Sequence, residues 1–437
     1  MTRMTLFRWL WALAAAVHYL EQGWPEQPLD AVLLGLTAAV LARPGSAGLF
    51  VVFLVAEVAR VWADLPLLNN HWILSGFVAL GLLGAAVSAR RLDDAGWAEA
   101  AGPTLRGLVI ATYALAALHK CNDGYWDPAT SCGYRFYAQL LPGLGLPMGP
   151  VAARVAIAGS LLLEGGLAVL LAWPRARRLG LLLGAAMHLA FGKLGHAEFS
   201  FPILTLYVFF LPDGAEAELV GLGRRIRALA PNLPGWFLGT AAWLGLILAS
   251  GGARAPAWRL LYDTTLLACG LGGVVIAWLT RRGGAWTLAG RARPLGAAVL
   301  LLYLVHGLSP YLGLKTEATL SMFSNLSVEG GQSNHWWIPA SAQVVSWPKR
   351  LVRVLETNDP DLKRFANPDL EVPYLTFQRA FQVASDERTV WVRWSEDGVE
   401  HTWARAGDDP ALEAPQPALL RRLVAFRPRS ASGACLH

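Results

Sequence analysis

The chain has 437 residues, of which 54% are hydrophobic and only 16% charged, with a mean hydropathy of +0.39. Soluble domains carry roughly 25% charged residues, so this composition excludes a large globular enzyme and points to an integral membrane protein. The formal charge of +6 comes from 37 Lys plus Arg against 31 Asp plus Glu. The excess sits in short Arg clusters between apolar segments, a pattern that orients a membrane protein and gives no argument for nucleic acid.

Apolar stretches able to cross about 30 Å of hydrocarbon, with some shorter ones, are expected at 5–20, 30–42, 48–63, 71–89, 104–120, 151–173, 178–191, 199–212, 234–250, 258–280 and 294–312. The first reads as a retained helix: its small-residue triplets lie so close to Arg8 that cleavage there would leave too short an apolar core for a signal peptide. The loops that alternation places inside collect Arg43, then Arg90 and Arg91, then Arg175, Arg177 and Arg178, then Arg224, Arg225 and Arg227, then Arg281, Arg282, Arg291 and Arg293. The positive-inside rule therefore predicts a multi-pass protein of the cell (inner) membrane, with its N-terminus cytoplasmic and its C-terminal tail periplasmic or extracellular.

That topology puts the loop from Lys120 to Pro150, the turn from Lys193 to Glu198 and everything after Tyr311 on the outer face. Cys121 and Cys132 share the outer loop, and an oxidising compartment would allow a bridge between them, whereas Cys269 reads as a small apolar helix residue. The cysteine and histidine spacings supply no zinc motif, and no glycine-rich phosphate or dinucleotide loop is present, so no metal is predicted.

Ionisable residues in the apolar body are functional candidates because each is costly in hydrocarbon. His119 and Lys120 close one helix and are followed by Asp123, Trp126 and Asp127; interfacial anchoring and catalysis both stay open there. His188 lies in mid-helix among small residues that permit close packing, with a hydrogen bond to a backbone carbonyl as the alternative role, and His196 follows toward the outer face. Glu57 and Arg60, one turn apart, are expected to pair with each other. Glu164, His306 and His18 stand singly and are read as structural.

The stretch from Ser309 to Trp337 is too polar to span and too aromatic for a flexible linker. It is expected to form a structured cap, turned at Gly330 and Gly331, whose Asn334 and His335 are candidate binding residues if the cap acts as a lid rather than a packed loop. Residues 343–348 link it to a small α+β tail. There, 389–394 and 399–404 alternate on either side of Asp397-Gly398 as a hairpin does. Tyr374 to Val383 and Ala418 to Ala425 read as short amphipathic helices, with a turn at Asp408-Asp409-Pro410. The expected organisation is thus an all-α transmembrane bundle over 1–313, a cap and linker over 314–344, and the tail over 345–437.

Three features together resemble the horizontally transferred transmembrane (HTTM) domain, the bacterial relatives of vitamin K-dependent gamma-carboxylase. They are Leu118-His119-Lys120 with Asp123 and Trp126, the His188 helix leading to Phe199-Ser200-Phe201, and the segment from Tyr311 to Trp337. The resemblance covers roughly residues 5 to 340. It implies that Lys120 activates reduced vitamin K or another quinol, which reacts with oxygen to give a strong base that opens a substrate glutamate to CO2, and that His188 matches the later-helix histidine. With His196 these form the expected catalytic set, and His119, Asp123, Trp126, Asn334 and His335 the substrate-binding set. The tail is shorter than the lumenal region with which the carboxylase holds its protein substrate. A lipid- or partner-binding protein without catalysis, and a transporter, are the readings from other classes.

Overall fold

In the computed structural model the described residues are 2–21, 27–89, 93–145, 149–194, 196–212, 215–229, 256–280, 292–387, 389–405 and 407–436. The protein is mostly helical, and its only sheet among these residues lies in the tail. The body comprises α1 (Arg3–Glu21), α2 (Pro28–Ala42), α3 (Ala47–Asp64), α4 (Asn70–Ser88), α5 (Asp94–His119), the single turn α6 (Asp123–Trp126), α7 (Cys132–Leu144), α8 (Pro150–Ala172), α9 (Arg177–Lys193), α10 (Ala197–Leu206, continued as a 3-10 turn to Phe210), α11 (Ala215–Leu229), α12 (Pro256–Leu279) and α13 (Pro294–Leu312). Of these, α4, α5, α8 and α13 are long and apolar enough to cross a membrane, and α2, Ala197–Phe210 and Thr265–Leu279 are shorter apolar helices. The segment expected at 234–250, and Arg90, Arg91, Arg281, Arg282 and Arg291, lie outside the described residues.

Most helix ends fall within two residues of expectation, but α5 starts ten residues early and carries Pro103 inside it. An internal proline costs about 3 kcal/mol. Trp97, in the added turns, is fully buried and donates its indole N–H to the Leu82 carbonyl at 2.9 Å, burial that offsets the cost. The amphipathic helices α7 and α11 fall where only loops are expected.

The chain divides into two compact units, residues 1–63, 71–113 and 166–303 in the first and 64–70, 114–165 and 304–437 in the second. In the first, α1 packs on α2 and α10, and α9 on α12. Its polar contacts sort the helix ends. Arg3 donates to the Pro212 carbonyl, Arg8 to that of Pro44 while pairing with Asp94 at 2.8 Å, and Arg293 to that of Ser88. Arg60 pairs with Asp30, and the His18 ring lies against His71 and Trp72. The expected Glu57–Arg60 pair is not formed: Arg60 turns to Asp30 on α2, and the Glu57 carboxylate accepts from the Trp11 indole at 3.3 Å. Local spacing allows the first pairing, but helix packing decided the second.

In the second unit the tail holds an antiparallel sheet of five strands in the order β4-β3-β1-β2-β5, with β1 Leu351–Thr357, β2 Leu370–Pro373, β3 Val392–Glu396, β4 Val399–Trp403 and β5 Arg429–Ser430. Asp397 and Gly398 have φ of 50° and 81°, and Glu396 faces Val399, the geometry of a two-residue turn with both central φ positive. Alternation buries Val352 and Val354 of β1 and Val392 and Trp394 of β3 against Phe377 and Phe381 of the helix Tyr374–Glu387. The second amphipathic helix is Ala418–Leu423, and Asp409 caps the turn Pro410–Glu413 through the amides of Ala411 and Leu412.

Candidate functional site

The polar residues that follow Leu118 gather at the end of α5. Asn122 organises them. Its Nδ2 donates to the carbonyls of His119 and Ser324, both at 2.7 Å, and its Oδ1 accepts from the Tyr125 amide at 2.9 Å and from Asn334 Nδ2 at 3.2 Å. It thereby caps α6, whose single turn sends Tyr125 inward and Trp126 outward. On α8, Ser160 and Glu164 are four residues apart and so share one face. Glu164 forms an ion pair with Lys120, and Ser160 hydrogen-bonds the Tyr125 hydroxyl. The Tyr125 ring centroid lies 5.8 Å from Lys120 Nζ. Lys120 and Glu164 are each 6% exposed and Tyr125 is fully buried. Gly133 is required beside them, since a Cβ there would stand 2.4 Å from Tyr125 Oη.

Glu164, expected to stand alone, is thus the partner of Lys120. A carboxylate in a long apolar helix needs a cation, and Lys120 stands at the end of another candidate span; that is the signal in the sequence. The pairing favours the ammonium form, whereas a resting neutral base would need desolvation without a carboxylate alongside.

His119 Nδ1 bonds the Tyr311 hydroxyl at 2.8 Å. His335 is committed at both nitrogens: Nδ1 accepts from the amides of Trp337 and Ile338 at 3.2 and 3.1 Å, so Nε2 carries the proton and donates to the Leu118 carbonyl at 3.1 Å. Burial lowers its pKa, although the Leu118 bond opposes this. Asn334 accepts the Ser327 amide at Oδ1 and donates from Nδ2 to the Asn325 carbonyl. Asp123 accepts from the Trp336 indole at 3.0 Å, and the Trp126 and Trp336 rings are 5.4 Å apart. The cap is therefore ordered, with the expected turn at Gly330 and Gly331 (φ 74° and 71°). Ala318, Leu320, Phe323 and Asn325 also adopt positive φ, a conformation costly without glycine. It is held by Asn70, which accepts the Leu320 amide, and by Arg427, which donates to the carbonyls of Ser321 and Leu326.

The bridge expected between Cys121 and Cys132 is not formed. Cys132 is joined to Cys435, with Cα atoms 5.2 Å apart, while Cys121 is a buried free thiol donating to the Ala117 carbonyl. Burial raises the Cys121 pKa. The final strand returns the chain to the segment after α5, where the Arg135 guanidinium donates to the Cys435 carbonyl at 3.1 Å. A cavity of about 520 Å³ opens beside this disulfide, between Asn325, Glu329 and Asn334 on the cap and Arg427 and Arg429 on the tail. Its arginines are engaged by Glu329 and Glu371, and neither Lys120 nor Glu164 lines it.

His188 and His196 belong to the first unit. His188 is buried, with Nε2 2.7 Å from the Tyr113 hydroxyl and Nδ1 3.1 Å from Ser200 Oγ. Ser200 donates to the His196 carbonyl, so its oxygen accepts from Nδ1–H, and Nε2 accepts from Tyr113, whose hydroxyl meets that of Tyr207 at 2.8 Å. The chain of donors is complete with a neutral imidazole. The partners are side chains rather than the backbone carbonyl considered as the alternative. His196 is half-buried and precedes α10.

Among the described residues no group of three or more His, Cys, Asp or Glu is arranged to hold a metal ion. No family model, no curated protein and no solved structure matches the chain. The class that the fold defines is a mostly helical protein with candidate membrane spans and a small disulfide-tethered α+β tail.

Proposed function

We propose that the chain is a polytopic α-helical protein of the cell membrane, N-terminus cytoplasmic and tail outside, that performs the quinol-linked, carboxylase-type lyase chemistry implied by its resemblance to the HTTM and vitamin K-dependent gamma-carboxylase group. The observation that carries it is the enclosed Lys120–Glu164 pair with Tyr125 alongside. A charged pair in a poorly solvated place is expensive to keep, and chemistry is a reason to keep one. The residues suit a ring bearing hydroxyl groups: a donor and an acceptor stand side by side next to an aromatic face. A bound reduced quinol would supply the electrons and the acidic hydroxyl. The chain's part is to take up that proton, with Lys120 Nζ as the base once its own proton has passed to Glu164, while Tyr125 shields the amine from water. The outer position of the tail is supported by the Arg clusters and by a disulfide, which suits an oxidising compartment.

The test uses purified protein in lipid nanodiscs titrated with a reduced menaquinone, reading binding and oxygen-dependent consumption. Lys120→Arg should bind but not turn over, because guanidinium stays protonated. Lys120→Met with Glu164→Leu should fold and be inactive. Undiminished consumption by that double variant would sink the proposal. A non-catalytic lipid- or partner-binding role is the second reading, favoured by the complete structural engagement of His335; wild-type protein that binds the quinol without consuming it would select it.

A further inference from the structure

The cap carries an apolar surface that its packing does not use. Trp126, Trp336, Trp337 and Val344 are 37%, 42%, 67% and 71% exposed. The three indoles are contiguous, Trp126 to Trp336 at 5.4 Å and Trp336 to Trp337 at 6.0 Å between ring centroids. The Trp336 N–H is satisfied by Asp123, so the polar edge is tied down and apolar ring surface remains exposed.

Backbone hydrogen bonds set the level of this ledge. The Trp336 amide donates to the Cys121 carbonyl at 3.1 Å, two residues past the end of α5, and the Val344 amide to the Leu312 carbonyl at 3.0 Å, the last residue of α13. Both helices are candidate spans. The 19 residues of α13 rise about 28 Å, close to the roughly 30 Å of a hydrocarbon core, so Leu312 falls at the edge of that core and Val344 with it. The exposed face of the tail sheet, by contrast, is charged, with Arg393 between Glu356 and Glu400. Contiguous exposed indoles are a liability in water but are favoured at the level of lipid headgroups.

We infer that the Trp126–Trp336–Trp337 ledge is embedded in the headgroup–acyl boundary of the leaflet in which α5 and α13 end, so that the cap is a lipid-engaged element and not a purely aqueous lid. The inference rests on the reading of the spans and not on the chemistry proposed for Lys120. It has a consequence for that site: Tyr125, beside Lys120, and Trp126, in the lipid boundary, share the one turn of α6. A ligand dissolved in the leaflet would therefore meet the turn that shields the pair.

Full-length protein in phosphatidylcholine nanodiscs, with Cys121→Ala and Cys269→Ala and the disulfide intact, would be spin-labelled at Trp337→Cys, Val305→Cys or Asp397→Cys. Relaxation by oxygen should exceed relaxation by a water-soluble nickel chelate several-fold at 305 and clearly at 337, with the order reversed at 397. Oxygen dominance at 305 together with 397-like behaviour at 337 overturns the ledge while leaving the spans standing; chelate dominance at 305 overturns both. Should Trp337→Cys fail to fold, quenching by phosphatidylcholine brominated near the headgroup replaces it. Trp337→Phe should then lose part of the quenchable fluorescence, and an unchanged quenched fraction counts against the ledge.

Discussion

The two units surround their candidate functional residues in opposite ways, although ion pairs occur in both. In the first, His188 is held in a neutral chain from Tyr207 through Tyr113 to Ser200, every donor matched to an acceptor. In the second, Lys120 and Glu164 are buried as ions. A satisfied neutral network costs little in a low-dielectric interior, whereas an ion pair must overcome the desolvation of two charges and fails badly when either is removed. The difference teaches where function is to be sought: a neutral network is explained by packing, and an ion pair asks for a further reason.

The largest expected effect breaks the ionic side. Lys120→Ala should cost about 3–5 kcal/mol by stranding Glu164, read as a fall in thermal midpoint in detergent, while Lys120→Met with Glu164→Leu should recover most of it. Failure to recover would mean that the pair is not a self-contained unit. Next comes Lys315 in the cap, 5% exposed, its pKa pushed down to about 8 by burial, with Arg379 adding to the effect and Glu317 opposing it. The folded state releases this proton before the unfolded chain does, so wild-type stability should rise with pH between about 8 and about 10.4, and the burial penalty is full below that window. Lys315→Met should therefore stabilise the protein at pH 7 by on the order of 3 kcal/mol, with the advantage gone above the window. An advantage that stays constant with pH would refute a buried charged lysine.

On the neutral side, a Cβ at Gly184 would stand 1.9 Å from Tyr207 Oη, whereas one at Gly159 meets nothing within 4 Å. Gly184→Ala should cost about 1–3 kcal/mol through overpacking and loss of the Tyr113–Tyr207 bond, and Gly159→Ala should be neutral or slightly stabilising. Equal effects at the two glycines would show that the hydroxyl chain does not constrain the packing. The smallest change is expected on the tail surface, where Arg393→Ala removes half-exposed ion pairs with Glu356 and Glu400; a clear fall in thermal midpoint would be out of line with solvent-screened pairs.

The sequence by itself determined what depends on near neighbours in the chain. Apolar runs set the helix spans to within a residue or two at most ends, because burying a run of that length requires its backbone to bond internally. Asp397-Gly398 set the hairpin, since both residues must take positive φ. The exceptions were local signals outweighed by packing, as where burial of Trp97 carried α5 back past Pro103. Tertiary structure decided the partners: Glu164 for Lys120, Cys435 for Cys132, Asp30 for Arg60 and Tyr113 for His188. Each joins two different elements, and which side chains meet depends on how each helix is rotated and set against its neighbours. Hydrophobic periodicity in a segment apolar all round carries almost no information about that rotation, so the chemistry of the site became legible only once the helices were packed.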